Sequence, residues 1–116
     1  MTAPEMKDMP APRNVLIVRA DRIGDVLLST PAAAAIREQF PETHVTLLAR
    51  QLTRPIGERC PFIDHVLTID RDDGSERTFS ETVRLLKNHS FDWAVFLHPD
   101  FRLALQAYLA GIPVRA

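Results

Sequence analysis

Apolar residues along the chain fall into two alternating rhythms. Residues 14–19 (NVLIVR) are apolar on both faces of an extended chain, as in a central parallel strand covered on both sides. Val26, Leu27, Thr30, Ala33, Ala34 and Ile36 to Phe40 then recur at helical spacing, which predicts a helix at about 25–39. Pro31 lies inside that span, so either the helix kinks there or residues 25–30 form a separate opening turn. Pro41 stands as its stop signal. The same alternation continues with a strand at His44 to Arg50 and a helix from a Thr53 N-cap to about Arg59. A strand at Val66 to Ile69 and an amphipathic helix at Thr78 to Asn88 come next. A strand at Asp92 to Leu97 and a helix at 101–110 closed by Gly111 follow, and a fifth strand begins at Ile112. Strand–helix alternation with short connections predicts βαβ units, an α/β fold and a doubly wound parallel sheet of order 3-2-1-4-5.

Composition narrows the class. The chain has 116 residues, enough for one small domain, with 46% hydrophobic and 25% charged residues. The net charge of −1 gives no global field for nucleic acid or an anionic membrane, so no nucleic-acid partner is expected. No apolar run approaches the roughly 18 residues of a membrane span. Residues 1–12 are polar and proline-rich without a secretory h-region and read as a disordered arm. The folded domain is expected over 13–116. A single cysteine, Cys60, excludes an internal disulfide and suggests a reducing, cytoplasmic setting.

In a doubly wound sheet, ligands bind beyond the carboxyl ends of the strands, near the switch point between strands 1 and 4. The turns 20–25 and 98–102 would meet there. The first turn is neither a dinucleotide fingerprint nor a P-loop, because Gly24 is its one glycine. Gly24 leaves room for a tight turn or for a ligand against the backbone. Asp25 either caps the following helix or serves as a general base, and Asp21 admits the same pair of readings. Arg19, Arg22 and Arg102 could fork onto carboxylate or phosphate groups. His98 beside a turn proline is an acid/base group, an orienting donor or a satisfied strand-end histidine. His44, His65 and His89 are scattered, and no metal-ligand spacing appears. The run from Asp70 to Gly74 reads as a solvated loop. Trp93 and Phe96 read as core.

The stretch from Val15 to Pro31, with its Ile23-Gly24-Asp25-Val26-Leu27 centre, resembles the opening of the family 9 glycosyltransferases, the ADP-heptose:lipopolysaccharide heptosyltransferases and their relatives. The similarity continues through Ile36 to Pro41, His44 to Arg50, Phe91 to Val95 and Ala110 to Arg115. It implies the N-terminal half of a GT-B fold, a Rossmann-like domain that holds the acceptor. Asp25 matches the family's proposed catalytic base. Arg102 falls where relatives carry a basic residue for acidic acceptor groups, such as a Kdo carboxylate or a core phosphate, and Arg71 is a weaker candidate for the same role. Asp21, Arg22 and Gly24 complete the expected acceptor site. Asp21 and Arg22 stand where relatives often have small hydroxyl residues.

The resemblance further implies no cofactor and no metal. The donor would be ADP-heptose or a similar nucleotide sugar, bound by a C-terminal domain that this sequence does not contain. The acceptor would be a glycan or glycolipid with acidic groups. A cytoplasmic protein peripheral to the inner membrane face follows from the same family, and this fragment alone is expected to be inactive. The alternative from the residues themselves is a non-catalytic, flavodoxin-like binding module for an anionic ligand or a protein partner.

Overall fold

The computed structural model describes residues 12–18, 29–96 and 101–115. Five strands form one parallel sheet: β1 (Asn14–Val18), β2 (His44–Ala49), β3 (His65–Thr68), β4 (Trp93–Phe96) and β5 (Val114–Arg115). Their order is β3-β2-β1-β4-β5, as the strand–helix alternation predicts. Among the described residues the α-helices are α1 (Ser29–Gln39), α2 (Arg54–Glu58), α3 (Phe79–His89) and α4 (Phe101–Leu109).

Alternate residues of each strand feed two separate cores. Val15, Ile17, Val45, Leu47 and Trp93 pack with Ala33 and Ile36 of α1 and with Ile56 of α2. Leu16, Val18, Leu48, Leu67 and Ala94 pack with Leu86 of α3 and with Leu103 and Ala107 of α4. Helices thus cover both faces, which is why β1 can be apolar from Val15 to Val18. Val15, Leu16 and Ile17 expose no surface at all, and each such side chain contributes about 1.5–3 kcal/mol by leaving water. The rings of Trp93 and Phe40 pack edge to face, with centroids 5.4 Å apart.

Several boundaries differ from the sequence expectation. α1 is described from Ser29 with Pro31 two residues in, and residues 25–28, on which both readings of Pro31 turn, lie outside the described residues. Thr53 is not a side-chain cap. A 3-10 turn (Gln51–Thr53) leads straight into α2, Thr53 already has helical backbone angles, and its hydroxyl donates to the Arg50 carbonyl at 3.2 Å. Pro12, the last residue of the expected arm, is buried, and its carbonyl accepts from the Thr43 hydroxyl at 2.6 Å. Gly111 closes α4 with φ +82°, a conformation that favours glycine.

At the amino edge of the sheet two aspartates act as clasps. The N–H of Asp64 donates to the Val45 carbonyl, and its Oδ2 accepts from the Val45 N–H at 2.8 Å. Asp92 repeats the pattern on β1. Its N–H donates to the Asn14 carbonyl, and its Oδ2 accepts from the N–H groups of Asn14 at 3.0 Å and Arg13 at 2.7 Å. Each clasp sits just before its strand and sets the register of the next one.

Candidate functional site

The carboxyl edge of the sheet is where β1 ends at Val18, flanked by β2 and β4. Val18 pairs with Leu48 on one side and Phe96 on the other. The turn that follows β1, with Arg19, Asp21, Arg22, Gly24 and Asp25, lies outside the described residues, as does His98. The structure does describe the rim around it: the segment after β2, the loop after β3 and the first turns of α4.

The segment after β2 is fixed by its neighbours. The N–H of Gln51 donates to Asp70 Oδ1 at 2.8 Å. Gln51 Nε2 reaches Thr68 Oγ1 at 3.0 Å and Asp72 Oδ1 at 3.1 Å, and the Thr68 hydroxyl donates to the Asp70 carbonyl at 2.9 Å. Asp70 is therefore buried and partnered, which corrects the expectation of a wholly solvated loop. Only its distal part matches that expectation, with Asp72, Asp73 and Glu76 exposed. The loop folds back on itself: Asp70 and Glu76 form an antiparallel bridge, and the Arg71 N–H donates to the Ser75 carbonyl at 2.7 Å.

Arg71 lies in this loop with every guanidinium nitrogen occupied. Nε donates to Glu81 Oε2 at 3.2 Å, Nη2 pairs with the other Glu81 oxygen, and Nη1 donates to Ser75 Oγ at 3.2 Å. The hydrogen bond and charge of Glu81 raise the Arg71 pKa, and Arg71 lowers that of Glu81. Glu81 is also the N3 glutamate of a capping box. The Thr78 hydroxyl accepts from the Glu81 N–H at 3.2 Å and donates to its carboxylate at 3.1 Å. The Thr-x-x-Glu spacing from Thr78 to Glu81 is the sequence signal that could have located this arrangement. The start of α3 and the loop after β3 are thereby tied into one unit.

Arg102, in the first turn of α4, is exposed, with its guanidinium carbon 5.3 Å from the centre of the Phe79 ring. Arg71 and Arg102 thus share the carboxyl edge, but Arg71 is held by Glu81 while Arg102 rests on an aromatic face. Arg50 and Gln51 belong to the same rim, and the sequence reading did not single them out. A groove of about 420 Å³ bounded by Arg13, Phe40 and Thr43 lies at the opposite, amino edge. Among the described residues no group of three metal-ligating side chains converges, and no helix is long and apolar enough to cross a membrane.

No family model matches the chain. It is 31% identical over 101 residues, 87% of its length, to a Haemophilus influenzae protein provisionally named a glycosyltransferase, and covers 29% of that protein. It is 24% identical over 104 residues to lipopolysaccharide heptosyltransferase 2 of Escherichia coli, again over 87% of this chain and 30% of the relative. The chain thus spans less than a third of the length of the curated relatives it matches. Among solved structures, a family 9 glycosyl transferase from Veillonella parvula superposes with a TM-score of 0.75 at 22% identity, covering 89% of this chain and 31% of that one. The E. coli ADP-heptose heptosyltransferase II superposes with a TM-score of 0.73 at 23% identity, covering 88% and 29%. Over most of its length the chain is similar in sequence to glycosyltransferases and has the parallel α/β fold of the GT-B-like family 9 structures.

Proposed function

We propose that this chain is the acceptor-binding part of an inverting glycosyltransferase of the heptosyltransferase type. The observation that carries the reading is the 31% identity to a glycosyltransferase relative over 101 residues, 87% of this chain. In the proposed reaction the Asp25 carboxylate takes the proton from an acceptor sugar hydroxyl. The freed oxygen forms a bond to the anomeric carbon of the donor, and the bond from that carbon to the nucleotide diphosphate breaks from the opposite face. The donor is ADP-heptose or a similar nucleotide sugar, held by polypeptide outside this chain, and no cofactor or metal takes part. The acceptor is a glycan or glycolipid with acidic groups, in lipopolysaccharide core or a related glycan. Arg102 binds those groups, with Asp21, Arg22 and Gly24 as further acceptor-binding residues. A lipid-linked acceptor would bring the cytoplasmic protein to the inner membrane face. Taken alone, the 116 residues transfer no sugar.

The test is a chimera in which this chain replaces its matching segment in E. coli heptosyltransferase II. Acceptor-dependent release of ADP is expected. Asp25→Asn should lower kcat by about 10²–10⁴-fold, the usual weight of a general base, without lowering the melting temperature. A chimera that binds ADP-heptose but never transfers it would refute the acceptor-side role. An unchanged rate in Asp25→Asn would reduce Asp25 to a helix cap.

A further inference from the structure

Four large apolar side chains stand open to solvent among the described residues: Leu52, Leu105, Tyr108 and Leu109. Three of them belong to α4, where Leu105, Tyr108 and Leu109 are 50%, 61% and 50% exposed. Their i, i+3, i+4 spacing places them on one helical face. Leu103, Gln106 and Ala107 form the buried face of the same helix. A surface helix needs one apolar stripe to dock on its sheet, and α4 carries a second that faces outward.

α3 lies alongside. Gln106 Nε2 donates to the Phe79 carbonyl at 3.3 Å, and the Arg102 guanidinium stands over the Phe79 ring. Both helices join parallel strands, so both run from the carboxyl to the amino edge of the sheet. Residues further along α3 therefore stand level with residues further along α4, and Arg84 comes level with the Tyr108–Leu109 turn. Arg84 and Lys87 are exposed and share the outward side of α3. α3 holds one carboxylate, Glu81, which Arg71 and Thr78 already engage, and α4 holds none. The outward side of the pair thus combines an apolar stripe with cations and no free acid. Leu105 and Leu109 follow Arg102 by three and seven residues, so they continue the flank that leans toward α3. A helix added beside β5 would meet the other flank of α4.

A large exposed apolar stripe marks a contact surface. Cations beside it suit an anionic lipid surface, where apolar side chains enter the acyl boundary and the cations meet headgroup phosphates. A second copy of the chain docked through this face would bring the same cations together with no acid to offset them. We propose that the outward side of α3 and α4 is a membrane-docking surface, with Leu105, Tyr108 and Leu109 seated at the headgroup boundary of an anionic bilayer and Arg84 and Lys87 on its phosphates. The net charge of −1 makes this a local attraction and not a property of the whole chain. The surface stands on the two helices alone; that this bilayer presents the acceptor rests on the acceptor-side reading above.

The test is co-sedimentation of the 116-residue chain with phosphatidylcholine vesicles, with and without phosphatidylglycerol. Binding is expected on the anionic vesicles, weakened by salt, and little on the neutral ones. The double variant Arg84→Gln/Lys87→Gln should bind the anionic vesicles about 20-fold more weakly, since each cation at such a surface is worth about fivefold. Leu105→Ser/Leu109→Ser should lose at least about tenfold. Arg54→Gln, on α2 across the sheet, should change nothing. Circular dichroism melts check that the variants fold. Equal binding to both vesicles, or binding that survives either double variant, overturns the proposal. So does a dimer in sedimentation velocity that Leu105→Ser/Leu109→Ser disperses while vesicles stay unbound, which would give the face to a second copy. The chimera with heptosyltransferase II should bind the anionic vesicles too; a chimera that does not would show the face covered in a longer protein, and would overturn it as well. Failure of all vesicle binding refutes the docking surface and leaves the transferase reading to the chimera's sugar transfer.

Discussion

Replacing Asp64 by alanine should remove the clasp between β2 and β3, and its cost can be worked from the structure. The carboxylate accepts the Val45 N–H at 2.8 Å and pairs with the Arg37 guanidinium. Losing the charge-assisted bond to a part-buried N–H costs about 1.5–3 kcal/mol. The Arg37 pair adds only about 0–1 kcal/mol, because its side chains are 28% and 35% exposed. A total of about 2–3 kcal/mol lowers the melting temperature of a domain this size by about 10–20 °C. Asp64→Asn keeps an acceptor for Val45 and should lose about half as much. The effect also has a pH signature. Burial pulls the Asp64 pKa upward, but the Val45 N–H and Arg37 outweigh it, with a smaller pull from His44, and the net shift is downward from 3.8. A carboxyl with a lowered folded pKa stabilises above its unfolded value, and that contribution is lost as pH falls through the folded one. The stability gap between wild type and Asp64→Ala should therefore be constant from pH 7 to 5 and close below 3.8. Urea denaturation of both proteins across that range measures it. A gap under about 0.5 kcal/mol at pH 7, within the scatter of ordinary surface substitutions, or one that persists unchanged in acid, would refute the reasoning.

Gly57→Ala places a Cβ 2.8 Å from Leu47 Cδ2 and 3.0 Å from Val66 Cγ2, both buried. Overpacking of about 1–3 kcal/mol, less up to about 1 kcal/mol of gained helix propensity, should lower the urea midpoint at an unchanged slope. The His89 pKa is lowered by burial and then by the nearby His65 and His44, so the unfolded chain takes up its proton first. Stability should fall as pH drops from 6.5 toward the folded value and level off below it, and His89→Gln should flatten that slope in denaturation curves taken from pH 8 to 5.

The legibility of the site was uneven, for physical reasons. Arg102 and Arg71 were both readable as cations after strands, but a sequence does not say where a guanidinium spends its donors. Arg71 turned out to be held by Glu81, ten residues on, through a loop that folds back on itself. Arg50 looked like the polar end of a strand, and its place beside the end of β1 follows only from the β1–β2 pairing. Asp70 sat in a charged run and read as solvated, yet the Gln51 N–H draws it inward.

By itself the sequence determined the elements, the strand order and the glycosyltransferase resemblance. These depend on local periodicity, on turn chemistry and on a motif contiguous in the chain. Parallel strands buried on both faces announce themselves as unbroken apolar runs, and proline placement marks the helix ends. Tertiary structure decided the clasps at Asp64 and Asp92 and the engagement of Arg71. Each of these joins groups that are 10 to 79 residues apart in the chain or sit on different strands. Such contacts are set by strand register and loop geometry, which no local pattern encodes.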